Sequence, residues 1–456
     1  MRAFIKPLED LNGFSDILTT MKKEKGLTAI TGCMDAQKPH MIYALGQEKK
    51  NRVIVTFHEQ RAKELYDDYL FFDKTAVYYP AKDILFYQSD IRGSVLTAER
   101  MKALKAIHEQ ESVTVITTFD ALMNTQAPPQ RVWDNILEFS EGNLISLEEV
   151  TSALIQMGYE KEHQVETLGQ FAVRGGILDI YPLTEENPVR IELWDEEIDT
   201  IRTFDTESQK SIENIESIVV YPACELVLKE AEKQKGITRI LKEAETTSEK
   251  LRKEMKTEEA YRMLSTAKEK AEEWGELSIY AGMDAYLSYF SEERIGLLDY
   301  FSPEETFVFF DELSRCIERG KQTELEFSES MKHRLEKGYI LPGQMELLYP
   351  VEEIGAKVSG HRVATFAALE MKTALFKPDR KADIPVKSIA SYNNSFEALI
   401  KDLKRYKKNG YRVLLLSGSR TRAMRLAGDL QEQEITAFYT EDSDREISPG
   451  EVMTFY

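Results

Sequence analysis

The stretch FAVRGGILDIYPLTEENPVRIELWDEEIDTIRTFD, residues 171–205, decides the fold of the middle of this chain. Apolar and polar residues alternate along it, and Gly-, Asn- and Glu-rich segments separate the alternating runs. A period of two is typical of strands that cover a core with one face. Upstream, Ser146 and Glu149 have the spacing of a capping box before an apolar helix. We therefore predict an inserted α+β domain, an antiparallel sheet on one helix, over residues 136–221.

Short apolar runs alternate with charged helical segments on both sides of this insert. Four such runs lie within residues 1–135, and another, ETFVFFDELS at 305–314, follows the Lys- and Glu-rich region 226–276. This alternation predicts a parallel sheet with helices on its faces. The fold class is therefore α/β: one parallel-sheet domain, built from residues 1–135 and 222–385, is split by the insert. Charge mixing in 226–276 indicates solvated helix faces.

The remaining residues, 386–456, predict a small α/β domain. YRVLLLSGS at 411–419 is typical of a strand that leads into a helix from Thr421. The sequence then stops at GEVMTFY, on an apolar strand for which we find no partner. Natural domains seldom end in this way, so we expect this domain to be truncated from a longer protein.

Composition narrows the classes of function. The 456 residues carry a net charge of −20, which argues against a broad nucleic-acid-binding surface. Three distant cysteines without a CxxC pair, and six histidines without HExxH spacing, predict no metal site. The sequence has no apolar run of roughly 20 residues and a charged start. We therefore expect no membrane partner and a cytoplasmic location.

A damaged phosphate-binding loop follows the apolar run at 27–32. Gly32 stands where the first glycine of GxxxxGK[ST] belongs, but the second glycine is missing, and Lys38 is followed by Pro39. Proline supplies neither a backbone N–H nor a hydroxyl for magnesium. Further on, Asp311 and Glu312 end an apolar strand in the form of a Walker B element. The sequence predicts a degenerate, helicase-like P-loop core without a working nucleotide site or catalytic residues.

The insert carries a candidate binding face. In PVRIELWD the period of two places Val189, Ile191 and Leu193 toward the helix, so Arg190 and Trp194 face away from the core. Tryptophan and arginine are the side chains most enriched at interface hot spots. This pattern indicates a protein-docking surface.

A third candidate, Arg174, precedes Gly175 and Gly176, which permit either a bulge or a close approach by another backbone; a bulge would also help aim the Arg174 side chain outward. Residues 141–222 hold 18 acidic and 5 basic residues, so arginines retained there favour specific contacts over phosphate binding. The alternative is that Trp194 packs at the rim and both arginines pair with neighbouring Glu side chains.

These motifs together resemble the UvrA-binding domain shared by the excision-repair protein UvrB and the bacterial transcription-repair coupling factors (Mfd). The pattern comprises Arg174-Gly175, Asp179-Ile180-Tyr181-Pro182, the run from Arg190 to Asp195, and Phe204-Asp205. UvrB resembles a working helicase that keeps GKT in its phosphate loop. The coupling factor is similar to this chain in carrying a UvrB-like module with that loop degenerate, and the order of the blocks agrees with its amino-terminal region.

The resemblance implies a function and a set of partners. Family positions that contact UvrA fall on Arg174, Arg190 and Trp194, the last often phenylalanine in the family. Full-length members bind stalled RNA polymerase and displace it with an ATP- and magnesium-dependent DNA translocase in domains absent here. This fragment should then be neither an enzyme nor a cofactor binder. A missing carboxyl-terminal domain would mask the UvrA-binding face, which should be open here.

Two alternatives stay open at this point. The chain could be a UvrB-like damaged-DNA-binding subunit or a weak nucleotide hydrolase that uses Asp311 and Glu312. The segment 401–425, with nine basic residues against one acid, could contact DNA weakly, although such a run is typical of a solvated helix face.

Overall fold

The structure is a computed structural model. It describes residues 2–23, 25–82, 90–275, 282–368, 375–384, 386–389, 391–393 and 395–456, with the side chains of 90–94 also left aside.

The segment before the insert alternates strands and helices, as the sequence predicts. Its strands are β1 (Gly26–Thr31), β2 (Asn51–Thr56), β3 (Val77–Tyr79) and β4 (Val113–Thr118). Its helices are α1 (Arg2–Glu9), α2 (Phe14–Lys23), α3 (Lys38–Gly46), α4 (Glu59–Leu70), α5 (Asp90–Glu109), α6 (Phe119–Met123) and α7 (Gln130–Trp133), with a 3-10 helix at Asp35–Gln37.

The insert contains several strands and one helix, in the following order along the chain. They are β5 (Leu137–Ser140), α8 (Leu147–Gln156), β6 (Glu160–Lys161), β7 (Gln170–Arg174), β8 (Ile177–Ile180), β9 (Val189–Trp194), β10 (Glu197–Phe204), β11 (Ser211–Asn214) and β12 (Ser217–Val220). The Ser146 hydroxyl accepts a hydrogen bond from the Glu149 N–H at 3.4 Å and caps α8. Six strands form a sheet in the order β11-β10-β9-β8-β7-β6, antiparallel except between β6 and β7.

Helices dominate the segment after the insert. They are α9 (Glu230–Lys253), α10 (Thr257–Gly275), α11 (Leu287–Phe290), α12 (Leu313–Glu336) and α13 (Val351–Ser359), with 3-10 helices at Met283–Tyr286, Leu297–Tyr300 and Pro342–Leu347. Its strands β13 (Thr306–Asp311), β14 (Arg362–Ala367) and β15 (Arg380–Asp383) join the first four strands in one parallel sheet. The order is β15-β1-β14-β13-β2-β4-β3, so residues on both sides of the insert build the same seven-stranded sheet. This confirms the predicted fold class, and the boundaries at 135, 221 and 385 stay predictions.

A buried arginine links the two halves of this split domain. The Arg100 guanidinium donates to Glu225 at 2.5 and 2.9 Å and to the Gln126 amide oxygen at 2.5 Å, and it lies over the Tyr79 ring. Burial alone would raise the pKa of Glu225, but the positive charges of Arg100 and Lys82 outweigh it and lower that pKa to about 2. A carboxylate held ionised in this way fixes where the chain re-enters the core.

The last block holds α14 (Phe396–Lys408), β16 (Val413–Leu416), α15 (Arg420–Glu432), β17 (Ala437–Tyr439) and β18 (Val452–Phe455). Its parallel sheet has the order β16-β18-β17, so β18 lies in the centre and is paired on both edges. The expectation that this strand lacks a partner is therefore wrong. It arose because strand order in a parallel sheet does not follow sequence order.

Helix α1 covers one face of this small sheet. Val452 packs in the core beneath α14 and α15, whereas Met453 and Phe455 point to the other face and pack against Phe4. The Phe4 and Phe455 rings meet edge to face with centroids 5.5 Å apart. The first helix of the chain therefore completes the hydrophobic core of its last block.

Among the described residues, no helix combines the length and apolarity that a membrane span requires.

We predict that Phe4→Ala loosens the last block selectively. Removal of a buried aromatic ring costs about 3–5 kcal/mol, so amide hydrogen exchange of residues 452–455 should speed up roughly 100-fold or more. Phe396→Ala is the control, because that ring is 39% exposed. Equal protection of 452–455 in the parent and in Phe4→Ala would contradict the packing described here.

Candidate functional site

The outward face of the six-stranded sheet carries the predicted candidates. Along β9, Val189 and Ile191 are buried, whereas Arg190 is half-buried and Trp194 is exposed. The buried set packs on α8 through Val150, Leu154 and Met157. The predicted alternation of the strand is therefore correct, and Arg174, at the end of β7, also lies outside this core.

One buried carboxylate brings the two arginines together. Asp179 on β8 accepts hydrogen bonds from Arg190 Nε at 2.7 Å, Arg190 Nη2 at 2.8 Å and Arg174 Nη2 at 2.6 Å. Asp179 is fully buried, so charge-assisted bonds of this kind are strong and directional. The alternative that both arginines pair with neighbouring acids is correct except for the residue type: the shared acid is Asp179, which the register sets opposite Arg190, and not a Glu.

The two arginines differ in how much surface they offer. The side chain of Arg190 is only 13% exposed: it also donates to the Gln209 amide oxygen and lies over the Phe204 ring at 4.4 Å. Its hydrogen bonds with Asp179 raise its pKa further. The Arg174 side chain is 46% exposed, with one bond to Asp179. Arg174 is thus presented to solvent, while Arg190 is held mainly within the face.

Trp194 is the most prominent apolar side chain of this face. It is 81% exposed and precedes a tight turn in which Asp195 has a φ of 60°. The neighbouring turn, Gly175-Gly176, lies beside it, with Gly176 accepting a hydrogen bond from the Leu193 N–H at 2.8 Å. A Cβ on Gly176 would lie 3.1 Å from the Leu193 carbonyl oxygen, so glycine permits this approach.

Of the two roles predicted for these glycines, the close approach of another backbone is confirmed at Gly176, and the bulge is wrong. Arg174 pairs with Ile177, so Gly175 and Gly176 form a two-residue hairpin turn, with Gly175 at a φ of 62°. Register irregularities lie on β10 instead, between Ile198 and Thr200 against β9 and between Thr203 and Phe204 against β11. Turn and bulge use the same residue type, which is why the sequence did not separate them.

Two further residues support the face and were not among the predicted candidates. Phe204 is buried on the outward side of the sheet with Val165 and Ala172, and it forms the floor under Arg190. Asp179 is the second. The sequence places Asp179 on β8, the strand between the two strands that carry the arginines, and this order could have suggested a contact. Only the register between the strands shows that both arginines share it.

The degenerate nucleotide site forms a second cluster, at the carboxyl ends of the parallel strands. The Lys38 ammonium is fully buried and donates to Asp311 at 2.6 Å and to Glu312 at 2.8 Å, with Asp35 at 2.8 Å. Burial would lower the pKa of Lys38, but these carboxylates raise it above its usual value. The bond from Lys38 in turn lowers the pKa of Asp35. Lys38 is therefore locked in its charged form.

Asp311 is saturated by protein donors. Its second oxygen accepts from Thr56 Oγ1 at 3.0 Å and from Arg61 Nε at 2.9 Å. Glu312 adopts a left-handed backbone with a φ of 56°, and its carboxylate also accepts from the Ala368 N–H at 3.1 Å. Asp35, Asp311 and Glu312 are close enough to share one cation, and the Lys38 ammonium bonds to all three.

The loop before Lys38 is also closed. Gly32 has a φ of 85°, and a Cβ there would lie 2.5 Å from the Ile384 carbonyl oxygen, so the loop packs against the chain beyond β15. Burial raises the pKa of the adjacent Cys33 thiol to about 11. The loop has only one of the two glycines, its Lys38 is already bonded to carboxylates, and Pro39 stands where a Ser or Thr hydroxyl is needed. These residues therefore do not fit a phosphate-binding loop.

Comparison with known proteins defines the class of the insert. Residues 137–226 match the family model described as the UvrB interaction domain. The matched residues include Arg174, Asp179, Arg190 and Trp194, so the candidate face lies within the part of the chain that is similar to this domain.

The relatives extend the match to nearly the whole chain. It is 29% identical to a Transcription-repair-coupling factor of Bacillus subtilis (strain 168) over 457 residues, which covers 99% of this chain and 38% of that protein. A Transcription-repair-coupling factor of Staphylococcus haemolyticus (strain JCSC1435) is 26% identical, with 98% of this chain and 36% of that protein covered. The predicted resemblance is thereby confirmed, and the chain spans less than two-fifths of the length of these relatives.

We predict that Lys38→Met destabilises the split domain strongly. Loss of one partner from a buried ion pair typically costs about 3–5 kcal/mol, because the other charge stays buried and unpaired. Lys63→Met is the control, since its pair with Glu59 is exposed and should contribute less than about 1 kcal/mol. Urea unfolding of the three proteins measures the difference, and equal midpoints for both variants would contradict the buried geometry.

Proposed function

We propose that this chain docks the repair protein UvrA through the outward face of its six-stranded sheet, as a part of a transcription-repair coupling factor. The observation that carries the proposal is the pairing of Arg174 and Arg190 on buried Asp179 beside exposed Trp194. This is the composition of an interface hot spot, an aromatic anchor next to an oriented arginine.

The physical roles of the three side chains differ. Trp194 offers apolar area to a partner, and Arg174 offers N–H groups that Asp179 does not use. Arg190 acts mainly by holding Asp179 in place, because two of its nitrogens already bond to that carboxylate. The acidic surroundings favour a partner with a positive surface, since 18 acidic residues lie between positions 141 and 222.

The activities of the whole protein are part of the same proposal. The relatives are longer than this chain, and we place RNA polymerase binding and ATP- and magnesium-driven DNA translocation in sequence that this chain does not contain. A carboxyl-terminal domain of the intact protein would mask the UvrA-binding face. In the structure of this chain Trp194 on that face is 81% exposed.

The docking face is tested by titration of purified UvrA with the parent chain and with Arg174→Ala, Arg190→Ala and Trp194→Ala. Hot-spot truncations cost about 2 kcal/mol or more, so Kd should rise roughly thirtyfold for Trp194→Ala and Arg174→Ala. Asp179→Asn should also weaken binding, because it frees both arginines from their orientation.

Two exposed side chains outside the insert are matched controls. Arg425→Ala and Tyr261→Ala remove an arginine with an 82% exposed side chain and a tyrosine that is 73% exposed. Both should bind UvrA as the parent does. Because Trp194 is a surface residue, its variant should fold normally, and unchanged binding by all three face variants would refute the site.

We further propose that this chain does not hydrolyse nucleotides. The Lys38 ammonium and both oxygens of Asp311 are bonded within the protein, so neither is free for phosphate or magnesium. Addition of ATP and magnesium should therefore leave the thermal midpoint unchanged, and Glu312→Gln should leave the background phosphate release unchanged. Tight, magnesium-dependent ATP binding would instead favour a nucleotide hydrolase.

A further inference from the structure

Helix α14 carries a one-sided stripe of positive charge. Lys401, Lys404, Arg405 and Lys408 lie at positions i, i+3, i+4 and i+7 and are all exposed. Residues with this spacing share one face of a helix. We propose that this stripe binds the phosphate backbone of duplex nucleic acid without reading the base sequence.

The charges of the stripe are largely uncompensated. Within the part of the chain that the structure describes, no carboxylate lies at ion-pair distance from Lys401, Lys404 or Lys408. The helix has two acids: Asp402, whose oxygens are bonded to Arg405 at 2.9 Å and to the Tyr392 hydroxyl at 3.2 Å, and the exposed Glu397 in the first turn, four residues before Lys401. Three ammonium groups are thus free to meet phosphates.

Four of the five other basic residues of 401–425 are already engaged, and the fifth, Arg422, is exposed on α15. Arg412 pairs with Asp10 at 2.7 Å, Arg420 pairs with Glu441 at 2.7 Å, and Arg425 lies 3.8 Å from Asp429. Lys407 donates to the Glu434 backbone carbonyl. The candidate phosphate-binding residues of 401–425 are therefore mainly those on one face of α14.

The opposite face of α14 decides between nucleic acid and a lipid surface. Ile400 and Leu403 are buried in the core of the last block, with Leu399 packed beside them. A helix that lies in a membrane interface needs a free apolar face. The apolar face of α14 is already buried in the core of the last block. A stripe of charge that offers no apolar area fits a polyanion instead.

The geometry and the surroundings allow contact with a duplex. From Lys401 to Lys408 the helix rises about 10 Å, comparable with about three base pairs of B-DNA. The nearby acidic loop before β18 is partly neutralised by α1, since Glu446 pairs with Lys6 at 2.6 Å and Asp444 accepts from the Arg2 N–H. More distant acidic surface is screened beyond about 8 Å at physiological salt.

The test is fluorescence anisotropy of a labelled duplex of about 30 base pairs, in two unrelated sequences, titrated with the full chain. The pair of Arg405 with Asp402 is exposed and weak, so Arg405 can join the three lysines, and four phosphate contacts give a log–log salt slope of about −3.6. Binding to both sequences should therefore weaken about 100-fold between roughly 50 and 200 mM salt. The triple variant Lys401→Gln, Lys404→Gln, Lys408→Gln should bind at least about tenfold more weakly, with a slope near −1.

A second triple variant controls for net charge. Lys242→Gln, Lys250→Gln, Lys253→Gln removes three exposed charges from α9 and should bind DNA as the parent does. Trp194→Ala should also bind DNA normally, which separates this proposal from UvrA docking.

Three results would overturn the proposal. They are the absence of binding at about 50 mM salt, equal losses in both triple variants, and tighter binding to phosphatidylserine vesicles or polyglutamate than to DNA.

Discussion

A buried ammonium shared between carboxylates holds the split domain together. Lys38 comes from the segment before the insert and Asp311 from the segment after it, 273 positions away, yet their charged atoms are 2.6 Å apart. A buried ion pair contributes little net stability compared with apolar packing, but it tolerates few alternative arrangements. It therefore fixes how the returning strand enters the parallel sheet. The same bonds occupy the groups that a nucleotide would need, and they support the proposal that this chain hydrolyses no nucleotide.

The proposed docking face also contains a buried acid bonded to cationic side chains, but here one of the cations stays partly exposed. Asp179, like Asp311, is a buried acid surrounded by cationic side chains from neighbouring elements. At Asp311 the cations are consumed, because Lys38 has no exposed surface. At Asp179 half of the Arg174 side chain remains exposed beside Trp194. One cluster is therefore closed, and the other leaves part of an oriented guanidinium in solvent, as the proposed docking requires.

The sequence predicted those features that depend on local periodicity. Alternation along PVRIELWD placed Trp194 outward, Ser146 marked the start of α8, and the missing second glycine identified the degenerate loop. Features that depend on pairing between distant strands were not accessible. Nothing local sets Asp179 opposite Arg190, and nothing local places β18 between β16 and β17. Arg190 was predicted as an outward contact, but the cross-strand register makes it mostly a support for the face.

The packing of α1 on the last block also sets an order of events during synthesis. The Arg2 N–H bonds to Asp444, 442 positions further along the chain. At ribosomal rates of about 5–20 residues per second, the apolar side of α1 has to wait roughly 20–90 s for the strand that covers it. During that interval Phe4 can already pack against Phe71 and Phe72, but the part of its ring that Phe455 covers is available to other apolar surfaces, including those of a neighbouring nascent chain. Until then, the charges of Lys6 on this helix and of Asp10 beside it keep the segment soluble. Later they form ion pairs with Glu446 and Arg412 of the last block.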